Sequence, residues 1–117
     1  MKNLEETIKL LDHIQQNPEA TQRELVDELD ISLGKVNFLI KSLANTGIIK
    51  LKRFKNSRNK KGYLYLLTPD GIRKKTSYLQ RYLEEKMQEY DRLRTQIEAL
   101  KNQVSDVNKQ KDGRDHA

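Results

Sequence analysis

The chain has 117 residues, 34% of them charged and 35% hydrophobic, with a mean hydropathy of −0.91. That leaves room for one small domain and an extension, but not for a large core. It has no cysteine, which excludes a disulfide framework, a thiolate metal site and a cysteine nucleophile.

The start, MKNLEETIKLL, lacks the uncharged apolar run of a signal peptide, and no segment approaches membrane-spanning length. A cytoplasmic, nucleoid-associated protein with no membrane partner is the expectation. The net charge is +6, and its placement is the stronger signal. Residues 1–49 carry five Lys/Arg against eight Asp/Glu, residues 50–75 ten against one, and residues 76–117 eight against eight. One block therefore holds the excess, which is the footprint of a polyphosphate partner.

In chain order, residues 4–15 read as a first helix with Leu4, Ile8, Leu11 and Ile14 on one side. Asn3 and Glu6 have capping-box spacing, and Asn17-Pro18 ends the element. Thr21 to Glu24 is a second capping box, opening a helix with Leu25, Val26 and Leu29 that stops near Asp30. Only Asp30 and Ile31 then precede Ser32, a good N-cap for a third helix, Ser32 to Ala44. Two short helices joined so tightly form a helix-turn-helix. In the third helix Val36, Leu39, Ile40 and Leu43 make an apolar stripe, and Leu33, Lys35, Asn37, Phe38 and Lys41 occupy the other face. Gly47 suits the left-handed position that ends such a helix.

Ile48 to Phe54 and Gly62 to Leu67 read as two strands joined by the basic segment KNSRNKKG. This is a wing, whose cations lie near a phosphate backbone or a minor groove. Thr68-Pro69-Asp70 restarts helix with a cap, a first-position proline and an early acid. From Ile72 the apolar pattern becomes a heptad, with Thr76, Leu83, Tyr90, Ile97 and Val104 at a. Ile72, Leu79, Lys86, Leu93, Leu100 and Val107 occupy d. The helix predicted over 72–107 would be about 54 Å long and cannot cover its own seam, so a partner helix is implied. Residues 72–83 are also suited to packing back on the domain. The expected fold is mainly α with a two-stranded β-wing: a winged helix-turn-helix in residues 1–69, a coiled-coil dimerisation helix in 70–107, and a disordered tail in 108–117.

The runs Ile31 to Asn37, Gly47-Ile48-Ile49, Phe54 to Tyr63 and Tyr65 to Ile72 resemble the MarR-like winged-helix regulators. Within them they are most similar to the small subgroup associated with exopolysaccharide biosynthesis loci. The resemblance spans roughly residues 4–105 and implies a bacterial transcriptional regulator. Typical members dimerise through several terminal helices that cradle a ligand site. This chain has one long C-terminal helix, so a phenolic-ligand switch is not carried over, and no effector or cofactor is assigned.

The expected function is sequence-specific binding of double-stranded DNA by a homodimer. Asn can pair bidentately with adenine and Lys can donate to guanine, so Lys35, Asn37 and Lys41 are expected to meet bases. Ser32 caps the helix or contacts phosphate, and Phe38 adds apolar contact. Lys50, Lys52, Arg53, Lys55, Asn56, Ser57, Arg58, Lys60 and Lys61 are expected to hold phosphates and set register. Leu79, Leu83, Lys86, Tyr90, Leu93, Ile97, Leu100 and Val104 are expected to form the dimer seam.

A protein-interaction adaptor would explain the heptads but leave the basic block without a purpose. RNA binding is weaker, because the aromatics are not spaced as a stacking platform. No enzyme motif is present: His13 and His116 stand apart, and there is no phosphate loop, nucleophile motif or metal spacing.

Overall fold

The computed structural model describes residues 4–55 and 61–115. The elements run α1 (Leu4–Gln16), α2 (Gln22–Leu29), α3 (Leu33–Asn45), β1 (Ile49–Lys55), β2 (Lys61–Leu67) and α4 (Pro69–Asp115). This is a winged helix-turn-helix, mostly helical, with a two-stranded antiparallel wing and a long C-terminal helix. Between Tyr82 and Leu83 the chain divides into two compact units. Among the described residues no helix is long and apolar enough to cross a membrane.

The first unit has one core. Leu10, Leu11, Ile14, Ala20, Leu25, Val36, Ile40, Leu43, Ile48, Ile49 and Tyr65 pack together. Burying one such aliphatic side chain contributes about 1.5–3 kcal/mol, and the stripes of α1, α2 and α3 all converge here. Local signals place the helices around it. Thr21 Oγ1 accepts from the Glu24 N–H at 3.1 Å while Glu24 accepts from the Thr21 N–H, completing the capping box of α2. Asp30 then turns into the left-handed region at φ 54°, a conformation that short polar side chains tolerate, and ends α2 in one residue. The capping box expected of Asn3 and Glu6 at the start of α1 involves Asn3, which lies outside the described residues.

The end of α3 is a Schellman motif. The Ile48 N–H donates to the Leu43 carbonyl at 2.9 Å and the Gly47 N–H to Ala44 at 3.2 Å, with Gly47 at φ 75°. The chain leaves directly into β1, which pairs with β2 in a register running from Ile49 opposite Leu67 to Lys55 opposite Lys61. Each strand reaches one residue further toward the tip than the apolar pattern suggested. On its outer edge β2 is tied to the α1–α2 loop, where the Tyr65 N–H donates to the Pro18 carbonyl at 3.0 Å.

Thr68 makes the next corner. Its hydroxyl accepts from the Gly71 N–H at 2.9 Å and donates to the Gly47 carbonyl at 2.5 Å. Gly71 is buried against the Ile48 carbonyl so closely that a methyl group there would overlap it. The first turns of α4 thus belong to the first unit. Tyr78 packs on the core, and the Lys75 ammonium donates to Gln15 Oε1 at 2.7 Å and pairs with Asp12 on α1.

In the second unit every residue of 83–111 is exposed, including Leu83, Tyr90, Leu93, Ile97, Leu100, Val104 and Val107. The helix also continues beyond Val107, through Asp115, where a disordered tail was expected. The apolar pattern does end at Val107, but loss of amphipathicity does not by itself stop a helix. Asn-Lys-Gln-Lys contains no breaker, and propagation of an existing helix is much easier than nucleation.

Candidate nucleic-acid interface

The turn of Asp30 and Ile31 sets α3 across α2, and Ser32 caps α3 by accepting from the Lys35 N–H at 3.1 Å. Only the Ser32 oxygen is used in that bond, so its O–H remains able to donate. At about 100° per residue, Gly34, Lys41 and Asn45 lie opposite the buried Val36, Leu39, Ile40 and Leu43. Those three form the middle of the exposed strip. Phe38 falls within the same strip, as near its middle as Lys41, while Asn37 borders it on the α2 side and Lys35 on the α1 side.

Both borders are braced. Asn37 is half-buried, and its Nδ2 donates to Gln22 Oε1 at 3.3 Å, joining α3 to the first turn of α2. On the opposite border, Lys35 is drawn away from the strip to α1, where its Nζ lies 2.7 Å from Glu6 Oε2. That carboxylate oxygen is buried and meets Lys35 as an ion pair, not as an aligned hydrogen bond. Lys41, by contrast, is exposed at the centre of the strip. Of the two lysines expected to meet bases, the fold presents Lys41 and ties Lys35 to its neighbour helix.

Phe38 is 59% exposed, yet it also lines a cavity of about 450 Å³ with Thr7, Leu43, Ile48, Lys74 and Tyr78. Its ring therefore serves two surfaces of α3.

The wing divides its cations by the pleat. Lys50 and Lys52 share one face of β1, and Arg53 lies on the other. Arg53 stacks over the Tyr63 ring, 5.7 Å from its centre, directly across the ladder. Such an arrangement holds a guanidinium in place while leaving its donors at the surface. The expected contacts Asn56, Ser57, Arg58 and Lys60 lie outside the described residues, as do the side chains of Lys55 and Lys61. Not all of the basic block is exposed wing: Lys75 is engaged by Asp12 and Gln15, and Arg73 lies 3.4 Å from Asp70.

Two residues join the site without having been expected there. Asn45 stands four residues after Lys41, a helical spacing that was available in the sequence. Gln22 enters only through its contact with Asn37, 15 positions away, and no local pattern marks it.

In the second unit, the expected dimer residues Leu83, Tyr90, Leu93, Ile97, Leu100 and Val104 line one exposed stripe of the helix. Lys86 shares that stripe and pairs with Glu89 at 3.2 Å. Leu79 precedes the division, in the first unit, and is 42% exposed.

Comparison with known proteins agrees with this geometry. Residues 4–50 match the family model described as winged helix-turn-helix DNA-binding. Curated protein sequences give no significant match. Among solved structures, the chain is similar to a PadR-like transcriptional regulator from Bacillus cereus. The TM-score is 0.66 at 19% identity, covering 80% of this chain and 97% of that one. It is also similar to MepR, a transcription regulator of the Staphylococcus aureus multidrug efflux pump MepA. There the TM-score is 0.56 at 20% identity, covering 92% of this chain and 79% of the other. A transcriptional regulator homologue from Pyrococcus horikoshii matches with a TM-score of 0.51 at 16% identity, over 74% of this chain and 98% of its own. At these identities the likeness is one of fold. Residues 4–50 thus resemble a winged helix-turn-helix DNA-binding domain, and the fold is one that these solved regulators also have.

Proposed function

We propose that this winged helix-turn-helix protein is a bacterial transcriptional regulator that binds an inverted-repeat operator as a homodimer. It acts in the cytoplasm by binding and not by catalysis. The observation that carries the reading is the exposed strip of α3. Lys41 and Asn45 project from it and Asn37 borders it, on a helix whose other face is buried, whose N-terminus is capped by Ser32 and which α2 holds through Gln22. Such a strip offers donors and acceptors to the base edges of a major groove. Lys50, Lys52 and Arg53 stand on the adjoining wing as donors to phosphates, which fix register without reading sequence.

The exposed apolar stripe of residues 83–107 supports the homodimer. Ile97 and Val104 at a, with Leu93 and Leu100 at d, is the combination that favours two parallel strands. In that alignment Glu89 at g faces Arg94 at the following e of the partner. The resemblance of residues 31–72 to the exopolysaccharide-associated regulators names the promoters to examine first.

Selection from random duplexes, followed by titration at several salt concentrations, tests the reading. The expected outcome is a common inverted repeat bound tightly over a salt-sensitive background on random DNA. A protein that enriches no sequence, and whose weak binding ignores salt, would instead be an adaptor that docks protein partners.

A further inference from the structure

We infer that Gln22 is a specificity-determining residue, which couples a DNA phosphate to the orientation of Asn37 and so fixes an adenine preference. The inference rests on the reading that α3 enters a major groove. Its structural basis is a side-chain bond between the two helices of the motif, Asn37 Nδ2 to Gln22 Oε1 at 3.3 Å.

The chemistry runs in one direction. A phosphate oxygen can only accept, so it takes an N–H from the Gln22 amide and never its carbonyl. Gln22 is the first residue of α2, whose N-terminal amides and positive dipole end favour an anion beside it. In the motif the first helix crosses the backbone while the second lies in the groove. With Nε2 toward phosphate, Oε1 is left toward α3 and selects the Asn37 rotamer whose Nδ2 faces α2. Asn37 then has one N–H and Oδ1 remaining, the donor and acceptor that the N7 and N6 edge of adenine complements.

Without Gln22 the Asn37 amide is free to exchange its ends, because a terminal sp³–sp² torsion is roughly two-fold. The exchanged amide presents donor and acceptor in the wrong order. A phosphate contact, which carries no base identity itself, thereby acquires an influence on base choice.

The test uses the full chain and an operator selected by the unaltered protein from random duplexes. Asn37→Ala first locates the base pair that Asn37 reads. Gln22→Met, matched in shape but unable to accept, should lower the adenine preference at that pair about tenfold. It should add no further loss there when combined with Asn37→Ala. Gln22→Glu still accepts from Asn37 but repels phosphate, so it should keep the preference while weakening every duplex alike. Thermal unfolding midpoints of the variants confirm that the capping box of Thr21 and Glu24 still holds α2. If Gln22→Met leaves the preference intact at a pair that Asn37→Ala flattens, or if Asn37→Ala flattens no pair, the inference is overturned while DNA reading stands. If the unaltered protein selects no common sequence, the proposed function falls and the inference with it.

Discussion

Helix α3 and the part of α4 beyond Leu83 carry the same local signal and complete it differently. Both repeat apolar residues at helical spacing with polar residues between. In α3 the stripe of Val36, Leu39, Ile40 and Leu43 is buried by the chain's own core, and the opposite face is exposed. In residues 83–107 the stripe itself is exposed, with Tyr90, Val104 and Val107 at 60% or more. Periodicity says that a face wants to be covered and is silent about what covers it. The answer comes from length and surroundings. A 13-residue helix between two capping signals is covered within one small core, whereas residues 83–107, in the second unit, have no core of their own.

The largest way to break this contrast is to remove the second stripe altogether. Cutting after Tyr82 keeps the first compact unit whole, including Tyr78 and the Lys75 clamp on α1. That fragment should fold, sediment as a monomer and lose about 10²–10⁴-fold in operator affinity, because the second half-site contact is no longer intramolecular. Circular dichroism and titration on the selected operator check both halves of the expectation.

Next in size is damage to the core that positions α3. Leu25 is fully buried at the crossing of α2 and α3, so Leu25→Ala should cost about 2–5 kcal/mol of unfolding stability. Chemical denaturation of the fragment ending at Tyr82 measures it. The corresponding truncation in the second stripe, Leu93→Ala, should leave that fragment's reference stability untouched in the full chain and instead weaken self-association.

Gly71→Ala probes the corner where α4 begins. The added methyl would meet the Ile48 carbonyl, and overpacking against backbone should cost about 1–3 kcal/mol. Lys86→Leu works in the opposite sense. It removes the one cation from the seam of residues 83–107, so the full chain should melt higher while the number of helices per assembly becomes less well defined.

The smallest effect separates reading from holding. Lys50→Ala with Lys52→Ala should weaken specific and random duplexes alike and flatten the salt dependence by up to ~2 units in slope. A double variant that lost only specific binding would place these lysines among the sequence readers.

Much of the fold was legible because its boundaries are chemical. The pair Thr21 and Glu24, Ser32, Gly47 and Thr68-Pro69 each satisfy backbone groups within a few residues of themselves, so their meaning is local. The site was legible only in part. Lys35 and Lys41 look equivalent in the sequence, both on the face of α3 opposite its apolar stripe. What separates them is Glu6, brought to Lys35 by the packing of α1. Gln22 meets Asn37 in the same way, through a contact that no window around it contains. The split of Lys50 and Lys52 from Arg53 was available from the two-residue period of a strand. The end of α4 was not, since the change at Val107 is one of amphipathicity and not of helix formation.

In the function proposed above, the face α3 leaves open meets DNA, and the face residues 83–107 leave open meets a second copy of the chain. Sedimentation of the full chain bound to its selected operator, paired with a footprint of the same complex, tests both together. Two chains per duplex, with protected half-sites centred about 34 Å or ~10 base pairs apart, are predicted. One chain protecting the whole repeat at the same concentration would contradict it.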